Sequence, residues 1–178
     1  EKLLANQAIG SPLTISAKFR EHWGGIFRAH PWISGPQDTY LGFSERGGGA
    51  CGEHSHAINI WQHFARHCGF GRVVDVSAMI DIVEENGAKY DRVCLIHVKT
   101  ERGFVGDIAQ DVVTEPAQKQ VRIQGSQGYI EWYCNIENGY DAVMSWDGKH
   151  TPSQEMIAKT RPDDFKNEIN HIDAIHND

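Results

Sequence analysis

The segment "GGGACGEHSHAINIWQHFARHCGFG", from Gly47 to Gly71, gathers one carboxylate and four histidines behind three consecutive glycines. Histidine is the side chain whose unperturbed pKa lies nearest neutrality, so it can both take and give a proton. A carboxylate one helical turn earlier can orient it or stabilise its charged form. At about 100° per residue, Glu53, His56, Ile60, His63 and His67 share one side of a helix. Ala57, Trp61, Phe64, Ala65 and Cys68 share another and make the stripe to be buried. Glu53 and His56 stand at the N-terminal end, where backbone N–H groups face outward. The glycines ahead of them leave room for a ligand to approach the backbone. A plainer reading has Glu53 capping the first turn and His56 half-buried as scaffold. Residue types alone favour the two equally.

A metal is the other chemistry that histidines suggest. His63 and His67 have the i, i+4 spacing that lets two imidazoles share a zinc ion. His56 lies about 10 Å from His63 along the helix axis, too far to join them. No H-E-x-x-H occurs, and no cysteine is placed as a further ligand. The pair reads as a polar helix face, and the expectation is no metal site. Other catalytic templates are missing from the sequence: no G-x-S-x-G elbow, no P-loop and no G-x-G-x-x-G following a strand pattern. "GFGRVV" has only the first two glycines and leads into a strand pattern.

The elements that must position these residues follow from the periodicity. "SPLTISAKFREHW" (residues 11–23) alternates as a strand. Residues 24–49 are rich in Gly, Pro and aromatics without a sustained period. They read as a long ordered loop held by Phe27, Trp32, Tyr40 and Phe43. A helix follows over about residues 53–68, with Gly69 as its C-terminal cap residue. From Val73 to about Trp146, six β-like runs are separated by short turns. Strands so closely joined are mostly antiparallel, because a parallel crossover needs a dozen or more residues. An amphipathic helix closes the chain, with Asp163 or Asp164 as N-cap and Phe165, Ile169, Ile172 and Ile175 on one face. The predicted architecture is α+β: one domain over residues 1–178, an open, predominantly antiparallel sheet with helices packed on one face.

The bulk numbers fit that picture. The chain has 178 residues, 40% of them hydrophobic and 23% charged, enough for one domain with a real core. A formal net charge of −7 argues against a general binder of nucleic acid or anionic membrane. No apolar run approaches a membrane span of about 20 residues. The four cysteines, Cys51, Cys68, Cys94 and Cys134, are irregularly spaced, which favours reduced thiols and a cytoplasmic location over a disulfide framework.

"GGGACGEHSHAINIW" resembles the glycine-rich segment and catalytic helix of the Gfo/Idh/MocA oxidoreductases, the family of glucose–fructose oxidoreductase and inositol dehydrogenase. "ANQAIGSPLTISAKFREHW" resembles the strand that follows the family's cofactor domain. "GFVGDIAQDVVTEPAQKQVRIQGSQGYIEWY" resembles its sheet strands, and "TRPDDFKNEINHI" its C-terminal helix. The likeness covers nearly the whole chain.

The resemblance implies a two-domain dehydrogenase whose N-terminal Rossmann half binds NAD or NADP. This chain then corresponds to the substrate and oligomerisation half. No Glu-Lys-Pro motif is present, so no cofactor is expected on this chain alone. By resemblance, His56 matches the family's acid/base and Glu53 its supporting acid, and Asn59 falls near a second acidic position. Glutamate replaces aspartate, and the Glu-to-His interval is one residue short. His54 therefore stands beside His56 as a candidate base or substrate ligand. Lys18, Arg20 and Trp32 are placed on the loop side as candidate contacts to substrate hydroxyls. The implied substrate is a sugar, polyol or nucleotide-sugar, and the implied assembly is a homo-oligomer through the open sheet face. A non-catalytic ligand-binding or oligomerisation module of the same fold is the alternative.

Overall fold

Successive side chains of a strand point to opposite faces, and β1 (Pro12–Arg20) uses that period to divide the molecule. Ile15, Ala17 and Phe19 are buried, while Thr14, Ser16, Lys18 and Arg20 between them are only partly covered. A computed structural model describes residues 1–137, 139–158 and 161–177, without the side chains of residues 161, 164 and 175–177. Seven further strands flank β1: β2 (Val73–Glu85), β3 (Ala88–Thr100), β4 (Val105–Asp111), β5 (Gln118–Gly125), β6 (Tyr129–Glu137), β7 (Tyr140–Trp146) and β8 (Ser153–Ala158). They form one open sheet in the order β2-β3-β4-β1-β5-β6-β7-β8. Every neighbouring pair is antiparallel except β1 with β4, which run parallel. The fold is therefore α+β, as the turn spacing predicts.

Helices cover the face that carries Ile15, Ala17 and Phe19. α3 (Gly49–Glu53) packs on β3 and β4, and α4 (His56–His67) packs on β1 and β4. The stripe expected on α4 is the one buried: Ala57, Trp61 and Ala65 are covered completely or nearly so, and Phe64 and Cys68 in part. Trp61 is the anchor. Its indole Nε1 donates to the Ile15 carbonyl at 2.9 Å, so the one polar atom of a fully buried ring is satisfied. Gly106 on β4 lies beneath it, where any Cβ would sit 2.8 Å from that nitrogen.

Three details differ from the sequence expectation. Residues 24–49 are not one loop. They contain α2 (Gly24–Ala29) and three 3₁₀ turns, at Pro36–Asp38, Tyr40–Gly42 and Ser44–Arg46. β8 is an added edge strand, short and exposed along its whole length, which is why its pattern is faint. The last helix, α5, runs Arg161–Asn177, so Asp163 and Asp164 fall inside its first turn instead of capping it. Its Phe165, Ile169 and Ile172 face solvent, and the side chain of Ile175 lies outside the described residues.

Candidate active site

The predicted helix over residues 53–68 is two helices with a break at His54–Ser55. A glycine-rich segment has weak helical preference, and α3 is held by the sheet instead. The backbone N–H of Cys51 donates to Asp91 Oδ2 at 2.7 Å. Gln110 Nε2 donates to the carbonyls of Ala50 and Cys51 at 3.1 and 3.2 Å. Asp91 and Gln110 are both buried. The glycines serve this clamp. A Cβ on Gly49, whose φ is +78°, would lie 2.0 Å from Asp91 Oδ1. One on Gly48 would lie 2.3 Å from the carbonyl oxygens of Tyr40 and Leu41. Protein therefore fills the space that the sequence reading gave to a ligand.

The break re-aims the residues around it. His54 turns inward and is 3% exposed, whereas His56, at the start of α4, is exposed. Glu53 accepts a hydrogen bond from Tyr40 Oη at 2.6 Å, and that bond, with burial and the carboxylate's charge adding to it, raises the Tyr40 phenol above its usual value. His54 Nε2 is buried without a hydrogen-bond partner among the described residues. Burial holds its pKa below the ordinary 6.5, opposed by the charge of Glu21 and reinforced by that of Lys119. Those two residues form an ion pair beside it. The His56 ring stands 6.4 Å from Phe19, which in turn lies 6.2 Å from Trp132. An exposed imidazole thus sits over an apolar floor, with a second imidazole, kept neutral, close enough for the two to interact electrostatically.

Cys51 adds a second perturbed group on α3. The Cys94 thiol donates to its sulfur, which pulls the Cys51 thiol down to about 7. Cys68 is pushed up to about 11 by burial. None of the four cysteines is in a disulfide among the described residues.

The structure gathers Glu53, His54 and His56, with Asn59 exposed one turn further along α4. It does not bring Lys18 or Arg20 to them. Both alternate with Ala17 and Phe19 on β1 and so occupy the opposite face of the sheet, where Arg20 Nε lies 3.4 Å from Asp111 Oδ2. Trp32, 76% exposed, follows α2 on an outer segment and meets only the His30 ring edge-on at 5.2 Å among the described rings. Tyr40 and the Glu21–Lys119 pair are the neighbours that spacing does not reveal. The register of β1 against β5 supplies the latter, pairing Phe19 with Lys119.

The described strands do not form a Rossmann-type crossover. Among the described residues the one parallel pair, β1 and β4, has no direct strand–helix–strand crossover, because β2 and β3 intervene. Gly69 and Gly71 enter a strand and not a helix, and the G-x-G-x-x-G letters of Gly47, Gly49 and Gly52 follow the 3₁₀ turn Ser44–Arg46 and not a strand.

With this fold and site, the sequence matches the profile of the GFO/IDH/MocA C-terminal domain over residues 1–131, and the chain belongs to that family. Solved structures agree on the fold. A Thermotoga maritima protein provisionally assigned as an oxidoreductase superposes with a TM-score of 0.67 at 18% identity, over 96% of this chain and 48% of its own. Aldose-aldose oxidoreductase from Caulobacter crescentus, solved with glycerol, gives 0.65 at 15% identity, over 89% and 43%. Levoglucosan dehydrogenase, solved with NADH and levoglucosan, gives 0.64 at 16% identity, over 89% and 42%. The chain spans less than half the length of each. No curated protein matches the sequence.

Proposed function

We propose that this chain is the substrate-binding half of an NAD(P)-dependent oxidoreductase that oxidises a hydroxyl of a sugar, polyol or nucleotide-sugar. The observation that carries the reading is the break between α3 and α4, which presents His56 to solvent beside Glu53 and over buried His54. A general base must be reachable by its substrate, which selects His56 over His54. His56 takes the hydroxyl proton as the carbonyl forms. Glu53, held by Tyr40, supports the charged imidazole, and Asn59 binds a neighbouring hydroxyl. His54, neutral and covered, orients the pair. The nicotinamide, when bound by the rest of the protein, supplies the hydride acceptor. The family membership and the sugar- and polyol-bound neighbours support this substrate class.

The uncovered sheet face supports self-association. A polar row crosses it in register, through Ser77, His97, Asp107, Ser16, Arg122 and Glu131. A shallow depression of about 650 Å³ opens there, lined by Lys18, His97 and Lys99. We assign this face to contact between like chains. Light scattering of the whole protein at micromolar concentration is expected to give a multiple of the monomer mass; a monomer contradicts the assignment.

Replacing His56 by alanine in the whole protein tests the enzymatic reading. Loss of about 10²–10⁴ in kcat with unchanged assembly is expected. Unchanged turnover would count against His56 as the base.

A further inference from the structure

The far end of α4 carries a second cluster that the acid–base reading does not use. His63 and His67 are one turn apart, with ring centroids 4.4 Å from each other. Glu1, sixty-two residues earlier than His63, reaches both. Its Oε1 lies 2.9 Å from His63 Nε2 and 3.6 Å from His67 Nε2. All three donor atoms fall within 4.8 Å of one another. This third ligand separates the structure from the sequence, where two histidines stand alone on a helix.

We propose that Glu1, His63 and His67 form a binding site for a divalent transition ion of the zinc class. Tetrahedral coordination at about 2.0–2.1 Å places donor atoms about 3.4 Å apart, and the separations of 2.9 and 3.6 Å bracket that value. Small side-chain rotations close the set. His67 is already oriented for it. Its Nδ1 lies 2.9 Å from the His63 carbonyl and donates to it, which leaves the Nε2 lone pair facing Glu1. A ligating histidine commonly has its second nitrogen fixed in this way. Two imidazoles and one carboxylate make a three-ligand set, and water completes the shell on the solvent side.

The alternative is a bare hydrogen-bonded contact, in which the two imidazoles hold the Glu1 carboxyl below its ordinary value. The two readings differ in what the cluster does with an ion. The metal would pin the segment entering α1 (Lys2–Ala5) to α4. It plays no part in the chemistry assigned to His56, which lies about 10 Å away along the helix.

The test is a calorimetric titration of zinc chloride into protein purified without a histidine tag, in a non-chelating buffer near pH 7.5. One ion per chain is expected, with a dissociation constant on the order of micromolar. His63→Ala and His67→Ala should each weaken binding at least about ten-fold, and Glu1→Gln several-fold. His150→Ala, at another exposed histidine beside Asp147, should leave it unchanged. Binding should weaken as the pH is lowered, because metal ligation requires deprotonated ligands. The unfolding temperature should rise with zinc in the parent and not in His67→Ala. The residues are exposed, so circular dichroism of the variants should match the parent. No saturable binding below about 100 µM, or binding that survives loss of both histidines, overturns the proposal. Neither readout depends on substrate, so the result is independent of the oxidoreductase reading.

Discussion

Two pairs of histidines, His54 with His56 and His63 with His67, lie within fifteen residues of one another and differ in almost every physical respect. The first pair straddles a helix break. One ring is buried with an unpartnered nitrogen and the other is presented to solvent. The second pair sits on a regular helical turn, both rings exposed and both facing one carboxylate. The first pair depends on distant parts of the chain, since Asp91 and Gln110 clamp the turn before it. The second depends on local geometry, one turn of helix. Uneven environments separate the properties of like groups, and such separation is what acid–base chemistry uses. Even, exposed environments leave two equivalent ligands, which suits an ion.

That contrast can be broken at several points. Trp61→Ala removes the anchor beneath both pairs and should cost about 3–5 kcal/mol of stability, read by denaturant unfolding. Gly49→Ala attacks the clamp alone. It places a Cβ against Asp91 at a left-handed backbone position and should cost about 1–3 kcal/mol. If the clamp sets the first pair, this variant also loses turnover while retaining the His63–His67 contact.

A pH effect sharpens the comparison further. His54 is held neutral in the folded protein, and the unfolded chain regains the ordinary value of 6.5. Between the depressed folded pKa and 6.5, the unfolded state binds the extra proton. Stability from this residue is therefore fully present above about pH 6.5 and falls as pH drops through that window. His54→Gln should flatten the slope there. The smallest effect belongs to the other pair: His63→Ala should change stability by no more than about 0.5 kcal/mol in metal-free protein.

Much of the scaffold is legible in the residue pattern. The alternation of β1 and the stripe of Ala57, Trp61 and Ala65 follow from periods of two and 3.6, and both are local. The family assignment also rests on motifs whose order is visible in the sequence. The orientation of individual side chains is less accessible. Period two puts Lys18 and Arg20 opposite Phe19, but only the assembled sheet shows that α4 covers the Phe19 side. A helix wheel drawn from Glu53 onward treats residues 53–68 as one helix and does not show the break at His54–Ser55, which buries His54. That break is set by Asp91 and Gln110, forty and sixty residues away. The contact between Glu1 and His63 and the ion pair of Glu21 with Lys119 are likewise tertiary, so no spacing announces them.

The most direct test sets the two pairs against each other in the whole protein. Steady-state turnover would be measured side by side for His56→Ala and His63→Ala, at saturating sugar or polyol and cofactor. The account predicts a loss of about 10²-fold or more in kcat for His56→Ala and parent-like turnover for His63→Ala. Equal rates in the two variants would contradict it.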